Sequence, residues 1–173
     1  VKRSKTISPE PALLGLLMPA PKHGYELHQE FERELGQVWK VGMSQLYACL
    51  RQLAEQGLVS VHEEPQAKHP TRKVYHITPA GREVFLDWLR QPSPYLNRIR
   101  LEFLARLYFF RRLGLEGLDR LVAEQKAICR ERVDSLRRSA AQEQDSFRRL
   151  VLEFRQGQIE AVILWLDRCL ESR

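Results

Sequence analysis

Ser44, Gln45, Tyr47 and Arg51 bring a hydroxyl, a carboxamide, a phenol and a guanidinium to one short stretch of chain. These groups do hydrogen-bonding chemistry: a glutamine suits an adenine edge, an arginine suits guanine or phosphate, and serine and tyrosine hydroxyls suit phosphate oxygens. Nucleophilic or acid–base catalysis would need a base beside a nucleophile, or paired carboxylates. The acids here are scattered, the nearby Cys49 falls in an apolar series, and no Gly-rich phosphate loop is present, so an enzyme is not expected. Leu46, Cys49, Leu50 and Leu53 interleave with the polar set at helical spacing. One helix would therefore bury that stripe and turn Ser44, Ala48, Arg51 and Glu55 outward, with Gln45, Tyr47 and Gln52 on its flanks. Ser44 is the expected N-cap and Gly57 the expected stop. A polar face over a small Ala48 floor fits a DNA major groove; the plainer alternative is a solvated face with Tyr47 at the rim of a core.

Other cations extend this reading. Lys40 stands one turn ahead of the helix, in position for a phosphate. From Pro65 to Arg82 the chain holds Lys68, Arg72, Lys73 and Arg82 and no acid, which points to a loop gripping a nucleic-acid backbone or minor groove. Lys68 and Arg72 are preferred there, since Lys73 begins a return strand. Tyr25 sits at the expected start of an earlier helix, where free amides can hold phosphate. His62, Glu63, Glu64 and His69 lack the spacing of a helical two-His site, so no metal is expected, and nothing calls for a cofactor.

The elements that must position these groups follow from periodicity. A buried first helix spans Glu10 to Met18 and a second runs from Gly24 or Tyr25 to Leu35, stopped by Gly36. The Ser44 to Gln56 helix is the third. Leu58, Val59 and Val61, then Val74, Tyr75 and Ile77, alternate as two strands of a hairpin. Thr78-Pro79 launches a fourth helix through Trp88, and Pro92-Ser-Pro94 marks a boundary. Beyond it the pattern is helical, with one helix expected from Tyr95 to Leu113 and a break in the polar stretch Arg137 to Ser146. The fold class is thus mainly α: a basic tail (1–9), a winged helix-turn-helix of three helices plus a two-stranded wing (10–91), and an all-helical dimerisation domain (92–173). Leu118, Val122, Phe147, Leu150, Phe154, Val162, Trp165 and Leu166 carry more apolar surface than two or three helices can bury alone, and a second copy is the expected cover. Trp88, Tyr95 and Phe103 are the candidates for a pocket taking a small aromatic effector, against the plainer reading of core aromatics.

Composition narrows the classes. Across 173 residues, 28 Lys and Arg against 22 Asp and Glu give a net charge of +6, which admits an anionic partner without choosing one. Hydrophobic residues at 43% and charged residues at 29% are those of a folded soluble chain. Cys49, Cys129 and Cys169 are odd in number and far apart, which favours a reducing cytoplasm. The apolar run Ala161 to Leu166 is too short for a bilayer, and no long apolar segment follows the basic start, so neither a membrane partner nor a signal peptide is expected. With no initiator Met, the numbering is expected to begin inside the natural chain.

Taken in order, Leu13-Leu-Gly-Leu-Leu17, His23-Gly-Tyr-Glu-Leu27, Ser44-Gln-Leu-Tyr47, Leu50-Arg-Gln-Leu53, Glu55-Gln-Gly-Leu-Val59, Arg72-Lys-Val-Tyr75, Ile77-Thr-Pro-Ala-Gly81 and Trp88-Leu89 resemble the PadR family of bacterial transcription regulators. Many members have Pro where Ala48 stands and Gly-Thr in place of Ser44-Gln45. The Ser-Gln form looks closer to the branch with virulence-activator-like C-terminal helices, and the end Ile163-Leu-Trp-Leu166 is similar to the family's dimerisation region. The resemblance implies a homodimeric regulator, by analogy a repressor, that binds double-stranded DNA at a palindromic operator and responds to an effector. The alternative from another class is an adaptor that uses the winged helix as a protein-binding surface.

Overall fold

The computed structural model describes residues 8–64, 72–94 and 98–171. Pro9 and Pro11 bracket the start of α1 (Glu10–Leu17), where a missing N–H costs no hydrogen bond. Ala12, Leu13, Leu14, Leu16 and Leu17 are all buried. In α2 (Gly24–Leu35) the Glu26 carboxylate turns back to accept the His23 backbone N–H at 2.9 Å, satisfying an amide at the helix start. Leu27, Phe31 and Leu35 face inward, and Trp39 meets Phe31 edge-on at 6.0 Å. The connector to the next helix is pinned where His28 Nε2 lies 3.1 Å from the Val41 carbonyl oxygen.

The third helix, α3, runs Met43–Glu55 and buries Leu46, Cys49, Leu50 and Leu53 as the spacing predicts. Its N-cap is Gly42, not Ser44: the Leu46 N–H bonds the Gly42 carbonyl at 3.0 Å, so Ser44 lies inside the first turn. Gly57 does end the helix. With φ +70° it lets its own N–H reach the Ala54 carbonyl (3.0 Å) and the Leu58 N–H reach that of Leu53 (2.9 Å). This paired closure satisfies two end carbonyls and brings Leu58 back over Leu53.

Three antiparallel strands follow the order β1-β3-β2, with β1 at Lys22–His23, β2 at Val59–Glu64 and β3 at Arg72–Ile77. The two wing strands are those expected. The short β1 was not, because two residues leave no alternation to read. Lys22 holds it down by donating to the Leu16 carbonyl at 2.7 Å and pairing with Glu30 at 3.4 Å. Helix α4 (Pro79–Arg90) starts on Thr78, whose hydroxyl accepts the Gly81 N–H at 3.1 Å and donates to the Gly57 carbonyl at 2.8 Å.

The chain divides into two compact units, one of residues 1–89 with 104–114 and one of residues 90–103 with 115–173. The expected boundary at Pro92 counted 104–114 with the second. Instead α5 (Leu104–Leu113) belongs to the first, where Phe109 meets Phe85 edge-on at 5.3 Å and Trp88 at 6.4 Å. Arg106 donates from Nε to the Trp88 carbonyl at 2.9 Å and sets its guanidinium 4.6 Å from the Trp88 ring. The single helix expected from Tyr95 to Leu113 is therefore divided: a π-helical turn covers Ile99–Phe103 and α5 begins at Leu104. Tyr95 lies outside the described residues.

In the second unit, α6 (Leu118–Gln142) and α7 (Ser146–Glu171) form an antiparallel hairpin. The break comes late in the polar stretch, where Asp145 caps α7 by accepting the Arg148 N–H at 2.8 Å. Leu121, Val122, Cys129, Val133 and Leu136 pack with Ile159, Leu166 and Cys169 in its core. Arg137 pairs with Glu160 at 2.7 Å and Lys126 pairs with Asp167 across the two helices. Residues before the π turn are strapped to α6: the Ser93 N–H donates to Gln125 Oε1 (2.7 Å), and Gln125 Nε2 donates back to the Ser93 carbonyl (3.1 Å). Among the described residues, no helix is long and apolar enough to cross a membrane.

Candidate nucleic-acid interface

Burial sorts α3 into two faces. Ser44, Gln45, Tyr47, Ala48, Arg51, Gln52 and Glu55 are all exposed, opposite the stripe that packs inward. No side chain caps the helix start, so its first-turn amides stay open at the end carrying Ser44 and Gln45. Tyr47 is 39% exposed, with its ring laid on the backbone of Gly24. Tyr25, at 57%, is more open and its hydroxyl accepts from Gln29 Nε2 at 2.9 Å. Lys40 is exposed in the connector before α3.

The wing brings a second wall to this face. Between α3 and the sheet runs an open groove of about 710 Å³, with Tyr47, Arg51 and Ala54 on one side and Val61, Glu63, Lys73 and Tyr75 on the other. Burial, and then nearby Tyr47, push the Tyr75 hydroxyl above its ordinary pKa against the opposing pull of Arg51. It therefore stays protonated and able to donate at neutral pH. Tyr75 and Glu63 were not among the expected site residues. Only the strand register, which sets odd-numbered positions of β3 on the groove side, reveals them.

Register also revises the wing. In sequence its cations have no acid between Pro65 and Arg82, but in the sheet Lys73 stands opposite Glu63 and Arg72 opposite Glu64. The strand stem is thus charge-balanced. Lys73 shares the groove with Tyr47 and Arg51, whereas Arg72 alternates to the other face. Lys68 lies outside the described residues.

The remaining expected residues separate. Trp88 is half-buried in the first unit, while Phe103 is buried in the second against Trp165 at 5.7 Å. Of the expected dimerisation residues, Phe147, Leu150 and Phe154 form an open apolar stripe on α7, at 73%, 62% and 67% exposure. Leu118, Val162 and Trp165 are half-buried. Val122 and Leu166 must be struck from that set, because both are fully enclosed in the core of their own unit. Cys49 and Cys129 are likewise enclosed, and burial raises both thiols above their ordinary pKa, leaving them protonated and unreactive.

A three-helix core with α3 exposed beside a β wing defines the winged helix-turn-helix class. Residues 13–87 match the transcriptional regulator PadR-like family, and residues 99–172 match the virulence activator alpha C-terminal domain. Residues 13–87 thus carry a PadR-like transcriptional regulator domain, the family whose model they match. It is 31% identical over 114 residues to the negative transcriptional regulator PadR of Bacillus subtilis, covering 66% of this chain and 63% of that protein. With a probable transcriptional regulator of Mycobacterium tuberculosis it shares 32% identity over 81 residues, 47% of this chain and 43% of that one. The chain thus spans less than two thirds of the length of these curated relatives. The crystal structure of Bacillus subtilis PadR in complex with operator DNA aligns over 94% of this chain and 97% of that chain, at 26% identity and a TM-score of 0.49.

Proposed function

We propose that the chain is a homodimeric DNA-binding repressor that sets α3 of each subunit into successive major grooves of a roughly palindromic operator, with centres about 34 Å apart. One observation carries the reading: the polar face of α3 stands open along a groove whose other wall is a wing strand, with Arg51 and Lys73 as cations and Tyr47 between them and the start of α2. In this reading Gln45 and Arg51 meet base edges or phosphates, while Ser44, Tyr47, Tyr25 and Lys40 hold the backbone. Lys68, Arg72 and Lys73 supply the wing's charge. The apolar stripe Phe147, Leu150 and Phe154 supports pairing with a second copy, as an exposed patch of this kind seeks cover. Similarity to a negative regulator supports repression. The work is binding rather than catalysis, needs no cofactor and takes place in the cytoplasm, where the DNA is. A small-molecule effector would act by changing the angle between the two copies.

Fluorescence anisotropy tests this with duplexes that the protein selects from a random pool, against a scrambled control, across a salt series. Tight binding to selected duplexes, weakening steeply as salt rises, is expected. The double change Arg51→Ala, Lys73→Ala should weaken it by about tenfold or more with the circular dichroism unchanged. A protein that enriches no duplex and binds none at low salt overturns the reading.

A further inference from the structure

The hairpin of the second unit encloses a cavity of about 420 Å³. Its buried floor is Ile99 from the π turn, Leu136 from α6 and Ile159 from α7, with Val162 at the edge, and its exposed rim carries Arg132, Arg155 and Gln158. The volume falls in the range of about 300–1,000 Å³ usual for small-ligand pockets. What sets this cavity apart is that two unpaired arginines converge on an apolar floor. Some cations on these helices are matched, Arg120 by Glu124, Lys126 by Asp167, and Arg137 by both Asp134 and Glu160, while Arg130, Arg138, Arg148 and Arg149 are unmatched among the described residues but do not line the cavity. Arg132 and Arg155 take part in no ion pair among the described residues. Their own helices offer no partner: three and four positions to either side of Arg132 stand Ile128, Cys129, Ser135 and Leu136, and around Arg155 stand Val151, Leu152, Gln158 and Ile159, with no carboxylate.

We propose that this cavity binds a small amphipathic carboxylate, its apolar body on the Ile99, Leu136, Ile159 and Val162 floor and its charge held between the Arg132 and Arg155 guanidiniums, with the Gln158 amide as a further donor. Two guanidiniums flanking one opening are matched to a single carboxylate by geometry and charge. That such a ligand regulates transcription rests on the repressor reading; that it binds does not.

The full chain is titrated with anilinonaphthalene sulfonate, an aromatic anion that brightens in apolar cavities, and the probe is displaced with decanoate, decanol or acetate. Decanoate should displace it at concentrations about tenfold or more below either decanol, which has the body without the charge, or acetate, which has the charge without the body. Replacing Arg132→Gln and Arg155→Gln together should remove that advantage and leave decanol unchanged, while Ile159→Trp, which fills the floor, should weaken both. Equal displacement by decanoate and decanol, or undiminished decanoate affinity in the double arginine variant, overturns the proposal. So does a double variant that keeps its decanoate affinity but changes its sedimentation, since a second copy would then be the occupant. Because no arm contains DNA, these failures are distinct from failure to bind an operator.

Discussion

A side chain at position 24 would collide with the recognition surface: an ideal Cβ there lies 2.6 Å from the Tyr47 ring. The missing Cβ lets the start of α2 approach α3 and fixes where the Tyr47 hydroxyl stands. Gly24→Ala should displace that ring, costing about 1–3 kcal/mol in urea unfolding and several-fold in DNA affinity, whereas Tyr47→Phe should spare stability and lose affinity alone. A Gly24→Ala protein that matches the wild type in both assays would mean the ring has room to move at no cost. Arg72 and Lys73 offer a second comparison. Because Lys73 lines the groove and Arg72 faces away, Lys73→Ala should lower both the DNA affinity and the steepness of its salt dependence more than Arg72→Ala does. Sequence favoured Arg72 because Lys73 begins the return strand and so stands further from the loop. Which side of a strand a cation occupies, and which acid stands across from it, are properties of pairing.

At the scale of elements, one hydroxyl joins the end of α3 to the start of α4. Thr78 accepts the Gly81 N–H and donates to the Gly57 carbonyl, the residue whose left-handed turn ends α3. Thr78→Val keeps the shape and removes these bonds and the one to the Leu58 carbonyl, so it should cost about 1–2 kcal/mol of stability by chemical denaturation. Thr78→Ser should recover most of that loss. A Thr78→Val protein as stable as Thr78→Ser would show that the cap contributes nothing. This junction was legible beforehand, because Gly57 and Thr78-Pro79 are local signals whose geometry is carried by the residues themselves. Ser44 fails as the cap of α3 for the complementary reason: it has the right chemistry, but the N-cap lies two residues ahead of it, on Gly42. β1 left no signal, being held by Lys22 to Leu16 and Glu30, contacts that only exist once α1 and α2 are packed.

Across the whole molecule, the packing of α5 departs from the expected division because an aromatic cluster draws it in. Phe85 and Trp88 in α4 are completed by Phe109 from beyond the proline boundary, so α5 packs with the first unit. Periodicity identifies α5 as a helix with an apolar side but cannot name the surface it meets. The same ambiguity ran through the dimerisation set, since an apolar stripe looks alike whether it closes a hairpin or waits for another chain. Burial separates the two roles, and mutation should as well. Leu166→Ala opens a cavity in the hairpin core, costing about 2–5 kcal/mol of unfolding free energy, with any loss of pairing following from loss of fold. Phe147→Asp with Phe154→Asp touches no core, because both rings are largely exposed. That pair should leave the far-UV spectrum unchanged while shifting sedimentation equilibrium from dimer to monomer, weakening association by about a hundredfold or more. A double aspartate variant that remains dimeric would place the contact between copies elsewhere on the surface, and the stripe on α7 would then need another partner to cover it.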